Sequence, residues 1–405
     1  MKRKKIRVRM SQTMARVVIS VTLLAYFVLA AKYTPVFYMA LRNNRPANII
    51  PRSVLETVEH SQNDTEIPMM QLKPRPGPKS MRNELSVPME EAVMKIVEEL
   101  PKVVVLWTTW RSGSNYLGEL LANAKTNTFY SNEPLHYWKV NFLYEDNTET
   151  LFARNYLHDL LRCHLDQEYQ QQLNYMSRQK YYMKWNGYLF KQCKKKMSCA
   201  DSAFINEVCK QADLHLAKVL RLSLKWVRPL LQDERLDLRV IYVVRDPRAV
   251  LLSRERVDWC QTLSCSNPVM VCELLQEDLK QIQSLSKNFP DKFKFLQYEN
   301  ITTDPEGSLR DMMAFLDLPV SESQMRLLRP TSVSPDSLYS TRKDAKTQSE
   351  RWRTISDYQN MLYYQRSCEG PIKTLGLRMF SSEEEFRNLS ESLVLPLGSV
   401  SNNLS

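Results

Sequence analysis

The stretch Val103–Tyr116, VVVLWTTWRSGSNY, decides the fold class that we predict for this chain of 405 residues. It begins with a short, continuous apolar run, Val103–Thr109, that is rich in valine. Runs of this kind are typical of strands that are buried on both faces of a parallel sheet. A tight turn at Gly113 follows, and the spacing of the apolar residues over Tyr116–Ala124 predicts a helix.

A second stretch, Leu236–Arg254, has the same organisation, with the sequence LDLRVIYVVRDPRAVLLSR. Leu238–Val244 predicts a buried strand, and Arg248–Arg256 predicts a helix. Asp246 suits the helix N-cap and Pro247 suits the first helical position. Two units of strand, turn and helix predict an α/β domain of the doubly wound type. Further helices are predicted at Leu151–Leu165, Phe204–Ala212, Cys272–Phe289 and Ser308–Leu316, and further strands at Thr128–Tyr130 and Phe293–Gln297.

A basic cluster at the N-terminus precedes an apolar run, Val17–Ala31, which Tyr33–Leu41 prolongs. This order predicts one transmembrane helix, with its basic flank in the cytosol and the bulk of the chain in the secretory lumen. A cleaved signal peptide is the alternative, and it leads to the same compartment. Polar sequence with many prolines follows and predicts a stem. The predicted segments are a cytosolic tail at 1–16, a signal anchor at 17–41, a stem at 42–100, the α/β domain at 101–380 and a C-terminal tail at 381–405.

Eight cysteines and four N-glycosylation sequons agree with the secretory lumen. The sequons are at Asn63, Asn300, Asn388 and Asn403. We predict disulfides, but the sequence does not choose among the pairings. No paired CxxC spacing is present and the five histidines are scattered, so no metal site is predicted. The net charge of +11 would also suit a nucleic-acid binder, but the predicted anchor, the sequons and the cysteines speak against that class.

The turn after the first strand has the features of an anion-binding loop. Free backbone N–H groups at a helix N-terminus point at the ligand, and Gly113 allows the chain to approach closely. Ser114 supplies a hydroxyl and Arg111 a fixed charge. An ordinary loop capped by serine is the alternative, whereas a Walker A loop is excluded because two glycines and a lysine are required. The predicted loop comprises Arg111, Ser112, Gly113, Ser114, Asn115 and Tyr116.

The turn after the second strand predicts another anion site. Arg245 stands at the strand end, and Ser253 lies about two helical turns further on, near the same face. Both side chains can therefore reach one phosphate. Two anion sites on one sheet predict a nucleotide that carries two phosphorylated positions.

From about Lys102 to Phe380 the chain resembles the Golgi carbohydrate sulfotransferases that 6-O-sulfate galactose, N-acetylglucosamine or N-acetylgalactosamine. Arg111–Tyr116 resembles their 5'-phosphosulfate loop, and Leu236–Arg254 resembles their 3'-phosphate motif. Asn115 departs from the family, where serine is usual, which leaves the hydrogen bonding around the donor sulfate open. Further similar segments are Asn132–His136, Lys218–Leu222, Tyr298–Pro305, Arg351–Arg353 and Cys368–Leu377.

The resemblance implies a P-loop-like sulfotransferase fold, with a central parallel sheet flanked by helices behind the N-terminal anchor. It also implies 3'-phosphoadenosine 5'-phosphosulfate as co-substrate without a metal, and a glycan or proteoglycan as acceptor. The expected location is the Golgi membrane, with a type II topology and a lumenal catalytic domain. A homodimer is left open.

Individual residues have expected roles in the transfer. Glu133 is the expected base; a surface glutamate before Pro134 is the alternative reading, and His136 is a weaker candidate for the base. Arg111 is expected to stabilise the leaving phosphate. Lys218, with Arg221, is expected to address the sulfate or the acceptor, unless the two form an ordinary solvated pair. Arg351 and Trp352 are expected near the nucleotide, with a core position as the alternative for Trp352.

A basic, tyrosine-rich region between Cys163 and Asp213, which includes Lys194–Lys196, is predicted to attract an anionic acceptor. A solvated surface is the alternative for this region. For the whole chain, two alternatives stay open. One is a sulfotransferase with another class of acceptor, and the other is an inactive lumenal protein that binds glycans.

Overall fold

The computed structural model describes residues 100–193, 198–329 and 345–396. The predicted cytosolic tail, the anchor and nearly all of the predicted stem lie outside the described residues. Within the described part, no helix is both long enough and apolar enough to cross a membrane.

The centre of the fold is a sheet of five strands, all parallel, in the order β2-β3-β1-β4-β5. The register pairs Val104 with Leu216 of β3 and Leu106 with Ile241 of β4. Parallel neighbours require crossover connections, and these contain most of the helices. The strands are β1 Lys102–Trp107, β2 Thr128–Asn132, β3 Leu214–Val219, β4 Leu238–Val244 and β5 Phe293–Gln297.

Seventeen α-helices surround the sheet within the described ranges. They are α1 Ser114–Ala122, α2 Thr148–Leu161, α3 Gln170–Arg178, α4 Lys180–Trp185, α5 Gly187–Gln192, α6 Ser202–Lys210, α7 Val227–Leu231, α8 Pro247–Arg254, α9 Leu263–Ser266, α10 Pro268–Asn288, α11 Tyr298–Thr303, α12 Pro305–Phe315, α13 Glu322–Leu328, α14 Ala345–Ile355, α15 Tyr358–Ser367, α16 Glu369–Thr374 and α17 Glu383–Arg387. Short 3-10 helices lie at Pro134–Trp138, Gln167–Tyr169, Ser198–Ala200 and Leu224–Trp226.

Both faces of the sheet are buried, as the continuous apolar runs predict. Val103 and Val105 of β1 pack into one hydrophobic layer, whereas Val104 and Leu106 pack into the layer that contains α1. Strand β3 was not predicted, because His215 and Lys218 interrupt its apolar run. All six of its residues are nevertheless buried, since β3 lies between β1 and β2.

The packed domain continues beyond residue 380, where a C-terminal tail was predicted. Helix α17 buries Phe386 completely, and Leu393 is also buried in the main core. Leu377 forms an antiparallel bridge with Val394. The few apolar residues in this polar segment gave no helical period, and the buried positions become visible only through their partners.

The eight cysteines form four disulfides, which the sequence predicts without their pairing. Cys272–Cys368 links α10 to the end of α15, across a sequence separation of 96 residues. The other three disulfides are Cys163–Cys209, Cys193–Cys199 and Cys260–Cys265.

Candidate active site

The first predicted turn lies at the carboxyl edge of the sheet, between β1 and α1. Gly113 is the N-cap of α1 with φ 86°, and no side chain caps the first amides of the helix. A Cβ atom at Gly113 would lie 2.1 Å from the Tyr298 ring, so the loop passes directly over this tyrosine. Arg111 also has a positive φ, of 70°. The result is a tight loop whose helix-end amides suit an anion.

The second predicted turn joins β4 to α8 and contains the buried ion pair of Asp246 and Arg248. The Asp246 side chain accepts a hydrogen bond from the Arg248 N–H, as a helix N-cap does, and it pairs with the Arg248 guanidinium at 2.8 Å. The Asp246 N–H donates to a carboxylate oxygen of Glu299 at 2.9 Å. Burial raises the pKa of Glu299 to about 7, with the charge of Asp246 acting in the same direction. Sequence reasoning assigned no role to Glu299.

The structure brings the two turns together. Arg111 Nε donates to Ser253 Oγ at 2.9 Å, across 142 residues of sequence. Arg245 donates to the carbonyl oxygen of Arg111 at 3.2 Å, and its guanidinium lies 5.2 Å from the centre of the Tyr298 ring. The residues predicted for the 5' and the 3' side of the nucleotide therefore share one site.

Glu133 follows β2 directly and contacts two predicted cations, Lys218 of β3 and Arg221, which lies two residues after that strand. Its carboxylate pairs with Lys218 Nζ at 3.2 Å and with Arg221 Nη1 at 2.8 Å. The Lys218 ammonium also donates to Asn115 Oδ1 at 2.6 Å, which links the first loop to Glu133. Lys218 and Arg221 are buried and Glu133 is largely buried, so none of the three is the solvated surface residue of the alternative interpretations.

The charges of this cluster control its protonation. Burial alone would raise the pKa of Glu133, but Lys218 and Arg221 together lower it to about 2. Burial lowers the pKa of Lys218, and the charge of Glu133 opposes that effect. Glu133 is therefore ionised at neutral pH and held between two cations.

The buried polar atoms near this edge without a hydrogen-bond partner among the described residues include Trp110 Nε1 and Asn132 Oδ1. Trp110 precedes Arg111, and Asn132 precedes Glu133, opposite Lys218 in the parallel register. Buried polar groups usually find a partner, so these two atoms are suited to a ligand. Sequence reasoning gave neither residue a role of its own.

Of the late motif, Trp352 has a core position. It is 5% exposed and packs against Phe386, with ring centroids 5.4 Å apart. Arg353 is fully buried and donates to backbone carbonyls, including that of Asn388 at 2.6 Å. The structure thus selects the core alternative for Trp352, because α14 packs one face against α17. Arg351 is partly buried on the same helix, about 100° around the axis from Trp352.

The basic region predicted to attract the acceptor is only partly described. Lys180, Lys184 and Lys191 lie on α4 and α5 with exposed side chains. Lys194–Lys196 lie outside the described residues.

Asp278 of α10 stabilises the turn that follows β3. Sequence reasoning gave this residue no role. Asp278 accepts hydrogen bonds from Ser223 Oγ at 2.8 Å and from the Leu224 N–H at 2.9 Å. Tyr242 of β4 donates to its second oxygen at 3.4 Å. Burial raises the pKa of Asp278 to about 7, although the hydrogen bonds act in the opposite direction.

Asp278→Asn is expected to change how stability depends on pH. Because its pKa is raised, the folded chain keeps a proton that the unfolded chain releases near about pH 4, so the free energy of unfolding falls as pH rises toward about 7. The variant should show roughly half the decline in melting temperature between about pH 5 and 8, since Glu299 contributes with the same sign. Asp311→Asn, at an exposed ion pair with Lys294, is the control. If the melting temperatures of Asp278→Asn and of the unchanged chain fell equally with rising pH, the raised pKa of Asp278 would be contradicted.

The chain is similar in sequence to known carbohydrate sulfotransferases. Human carbohydrate sulfotransferase 6 is 25% identical over 341 residues, covering 73% of this chain and 85% of that protein. Mouse carbohydrate sulfotransferase 3 is 26% identical over 341 residues, covering 72% of this chain and 71% of that protein. The solved sulfotransferase domain from the curacin biosynthetic pathway covers 67% of this chain and 98% of its own, with 14% identity and a TM-score of 0.35. The model of the sulfotransferase domain matches residues 101–361, well over half of the sequence, and the chain therefore belongs to the sulfotransferase family.

Proposed function

We propose that this enzyme transfers a sulfuryl group from 3'-phosphoadenosine 5'-phosphosulfate to a sugar hydroxyl of a glycan or proteoglycan. The observation that carries the proposal is the hydrogen bond from Arg111 to Ser253, which holds the two predicted anion sites next to each other. A donor with phosphates at its 3' and 5' positions needs two such sites at a fixed separation. The carbohydrate sulfotransferases at about 25% identity support a sugar as acceptor.

The residues present fit this donor. Arg111 and the uncapped amides at the start of α1 suit the 5'-phosphosulfate, and Gly113 leaves the loop free of a side chain there. Arg245 and Ser253 suit the 3'-phosphate. Arg351 is proposed near the nucleotide from its position on α14, whose Ser349 carbonyl accepts a hydrogen bond from Arg245 at 3.2 Å.

The positions of the charged side chains suggest how the sulfuryl transfer proceeds. The bond between sulfur and the bridging oxygen of the 5'-phosphate breaks as the sugar oxygen forms a new bond to sulfur. Arg111 stabilises the negative charge that develops on the leaving phosphate. Lys218 reaches both the donor loop and Glu133, so it is placed to contact the transferring group.

Glu133 accepts the proton of the sugar hydroxyl in this proposal. Its pKa of about 2 makes it a weak base before the substrates bind. In a loose transition state the proton moves late, after the hydroxyl has begun to bond to sulfur and has become acidic. The first task of Glu133 is therefore to orient the hydroxyl, and the second is to receive the proton.

We further propose the finer assignments that the family resemblance suggests. The acceptor position is the 6-hydroxyl of galactose, N-acetylglucosamine or N-acetylgalactosamine. The chain is anchored in the Golgi membrane as a single-pass type II protein, with the catalytic domain in the lumen. The four disulfides agree with an oxidising compartment.

Arg245→Ala is expected to raise the dissociation constant of the donor by about tenfold to a hundredfold, because hydrogen bonds to a phosphate charge are lost. The measurement uses the purified full-length chain, labelled donor, and keratan, chondroitin and N-acetylglucosamine-terminated acceptors. Arg239→Ala is the matched control, since Arg239 lies near the opposite end of the same strand. Melting temperatures identify any loss of folding.

The outcomes separate the alternatives. Label transfer that falls with Arg245→Ala and persists with Arg239→Ala supports the donor and the site together. Tight donor binding without transfer to any of these sugars points to the inactive glycan-binding protein or to another class of acceptor. Donor binding that Arg245→Ala leaves unchanged overturns the proposed 3'-phosphate site.

A further inference from the structure

The backbone is strained at three places around the candidate active site. The described residues other than glycine with positive φ number five, and Arg111, Glu133 and Lys139 are three of them. Lys139 ends the 3-10 helix Pro134–Trp138 with φ 56° and ψ −127°, a region that favours glycine. Such conformations are unfavourable and cluster where function requires them. Roles have been proposed above for Arg111 and Glu133, but not for Lys139.

One buried side chain connects Lys139 to Glu133. The Arg221 guanidinium donates to the Lys139 carbonyl oxygen through Nε and to the Glu133 carboxylate through Nη1. Its position is fixed further by the Trp110 ring, whose centre lies 5.4 Å from the guanidinium carbon. The backbone of Lys139 is thus held in place relative to Glu133.

The Lys139 side chain is exposed and belongs to a polar cluster with His136 and Tyr175 of α3. Its ammonium donates to Tyr175 Oη at 2.9 Å and lies 4.0 Å from the centre of that ring. Tyr175 Oη is 2.9 Å from His136 Nδ1, and the two rings are stacked. Burial lowers the pKa of His136 to about 4, with the charge of Arg221 acting in the same direction, so the ring adds no positive charge to this cluster at neutral pH.

In this arrangement the ammonium of Lys139 can still donate hydrogen bonds to a ligand. One of its three N–H groups is used by Tyr175, and no carboxylate of the described residues forms an ion pair with it. Arg178 lies one turn after Tyr175 on α3 and is also exposed. An exposed cation that is fixed in position and lacks an acidic partner favours an anionic ligand.

We propose that Lys139 and Tyr175 form an acceptor subsite for an anionic substituent, a carboxylate or a sulfate ester. The substituent belongs to the sugar next to the one that carries the reactive hydroxyl. The inference rests on the proposed function, because Glu133 marks the position of that hydroxyl. It goes further by naming Lys139, with Tyr175, as the position that selects an anionic sugar chain.

The test compares two oligosaccharides with the same reactive hydroxyl, one with a neighbouring carboxylate or sulfate and one without. Lys139→Gln should raise the Michaelis constant for the charged oligosaccharide by about three- to tenfold, the loss of one exposed charge-assisted contact. The Michaelis constant for the neutral oligosaccharide should stay within about twofold of its value for the unchanged chain. Lys139→Arg should restore the preference, since it keeps the charge.

The matched control is Lys294→Gln. Lys294 is also a lysine near an aromatic ring, 5.5 Å from the centre of Phe315, but it lies on β5 at the opposite edge of the sheet. Its substitution should leave both Michaelis constants unchanged.

Equilibrium binding of the two oligosaccharides, with adenosine 3',5'-bisphosphate present, repeats the comparison without turnover. A preference for the charged chain that Lys139→Gln removes supports the subsite, even if no transfer occurs and the proposed function fails. If Lys139→Gln lowers the affinity for both oligosaccharides equally, or for neither, the subsite is overturned. Donor binding and sulfuryl transfer remain separate tests of the proposed function.

Discussion

Glu133→Gln is expected to lower kcat by about a hundredfold to ten-thousandfold, the range for a lost general base, while donor affinity changes by less than about threefold. The amide keeps the shape of the side chain but cannot take up the proton of the sugar hydroxyl. It also removes the negative charge between Lys218 and Arg221, which positions both cations. Single-turnover transfer rates and donor titration measure the two quantities separately.

The same change is expected to destabilise the fold. Lys218 and Arg221 are buried, and removing the shared partner of two buried cations costs about 3–5 kcal/mol. Rates must therefore be measured well below the melting temperature of the variant. Glu119→Gln on α1, in the first strand and helix unit, is the control and should retain activity and stability.

The pH profile gives an independent check on Glu133. Its folded pKa of about 2 lies below its ordinary value, so the carboxylate is ionised above about pH 4 and its stabilising effect is lost only as pH falls toward about 2. No inflection from Glu133 is expected in the rate between about pH 5 and 8 for the free enzyme. A Glu133→Gln variant with full kcat would overturn the assignment of the base.

Gly113→Ala is expected to weaken donor binding by about tenfold to a hundredfold, because hydrogen bonds from the loop to the charged phosphosulfate are lost when the loop is displaced. The new Cβ atom would lie 2.1 Å from the Tyr298 ring, and φ of 86° is unfavourable for alanine. Both effects push the loop away from its position over Tyr298. The free energy of unfolding should fall by about 1–3 kcal/mol for the same reasons.

Gly187→Ala provides the matched control for this substitution. Gly187 is the first residue of α5, and a Cβ atom there would meet nothing within 4 Å. Its replacement should leave donor binding unchanged and stability equal or slightly higher. If Gly113→Ala bound the donor as tightly as the unchanged chain, the loop over Tyr298 would not be the donor site.

The sequence alone determined the α/β class and the two strand, turn and helix units. Continuous apolar runs identify β1 and β4, and Asp246 with Pro247 marks the start of α8, because these signals are local. The sulfotransferase resemblance could be recognised for a related reason, since each of its motifs is a short continuous segment. The even number of cysteines likewise predicted disulfides without their partners.

Contacts between distant segments were decided only by the tertiary structure. From the sequence, Lys218 and Arg221 could address the sulfate or the acceptor, or form an ordinary solvated pair. Only the placement of β3 beside β2 brings both of them to Glu133. From the sequence, Trp352 could equally be a nucleotide contact or a core residue, and its packing against Phe386 of α17 is visible only in the structure. Burial and ion pairing depend on what packs against a residue, and that partner can be more than a hundred residues away, so no local pattern in the sequence records it.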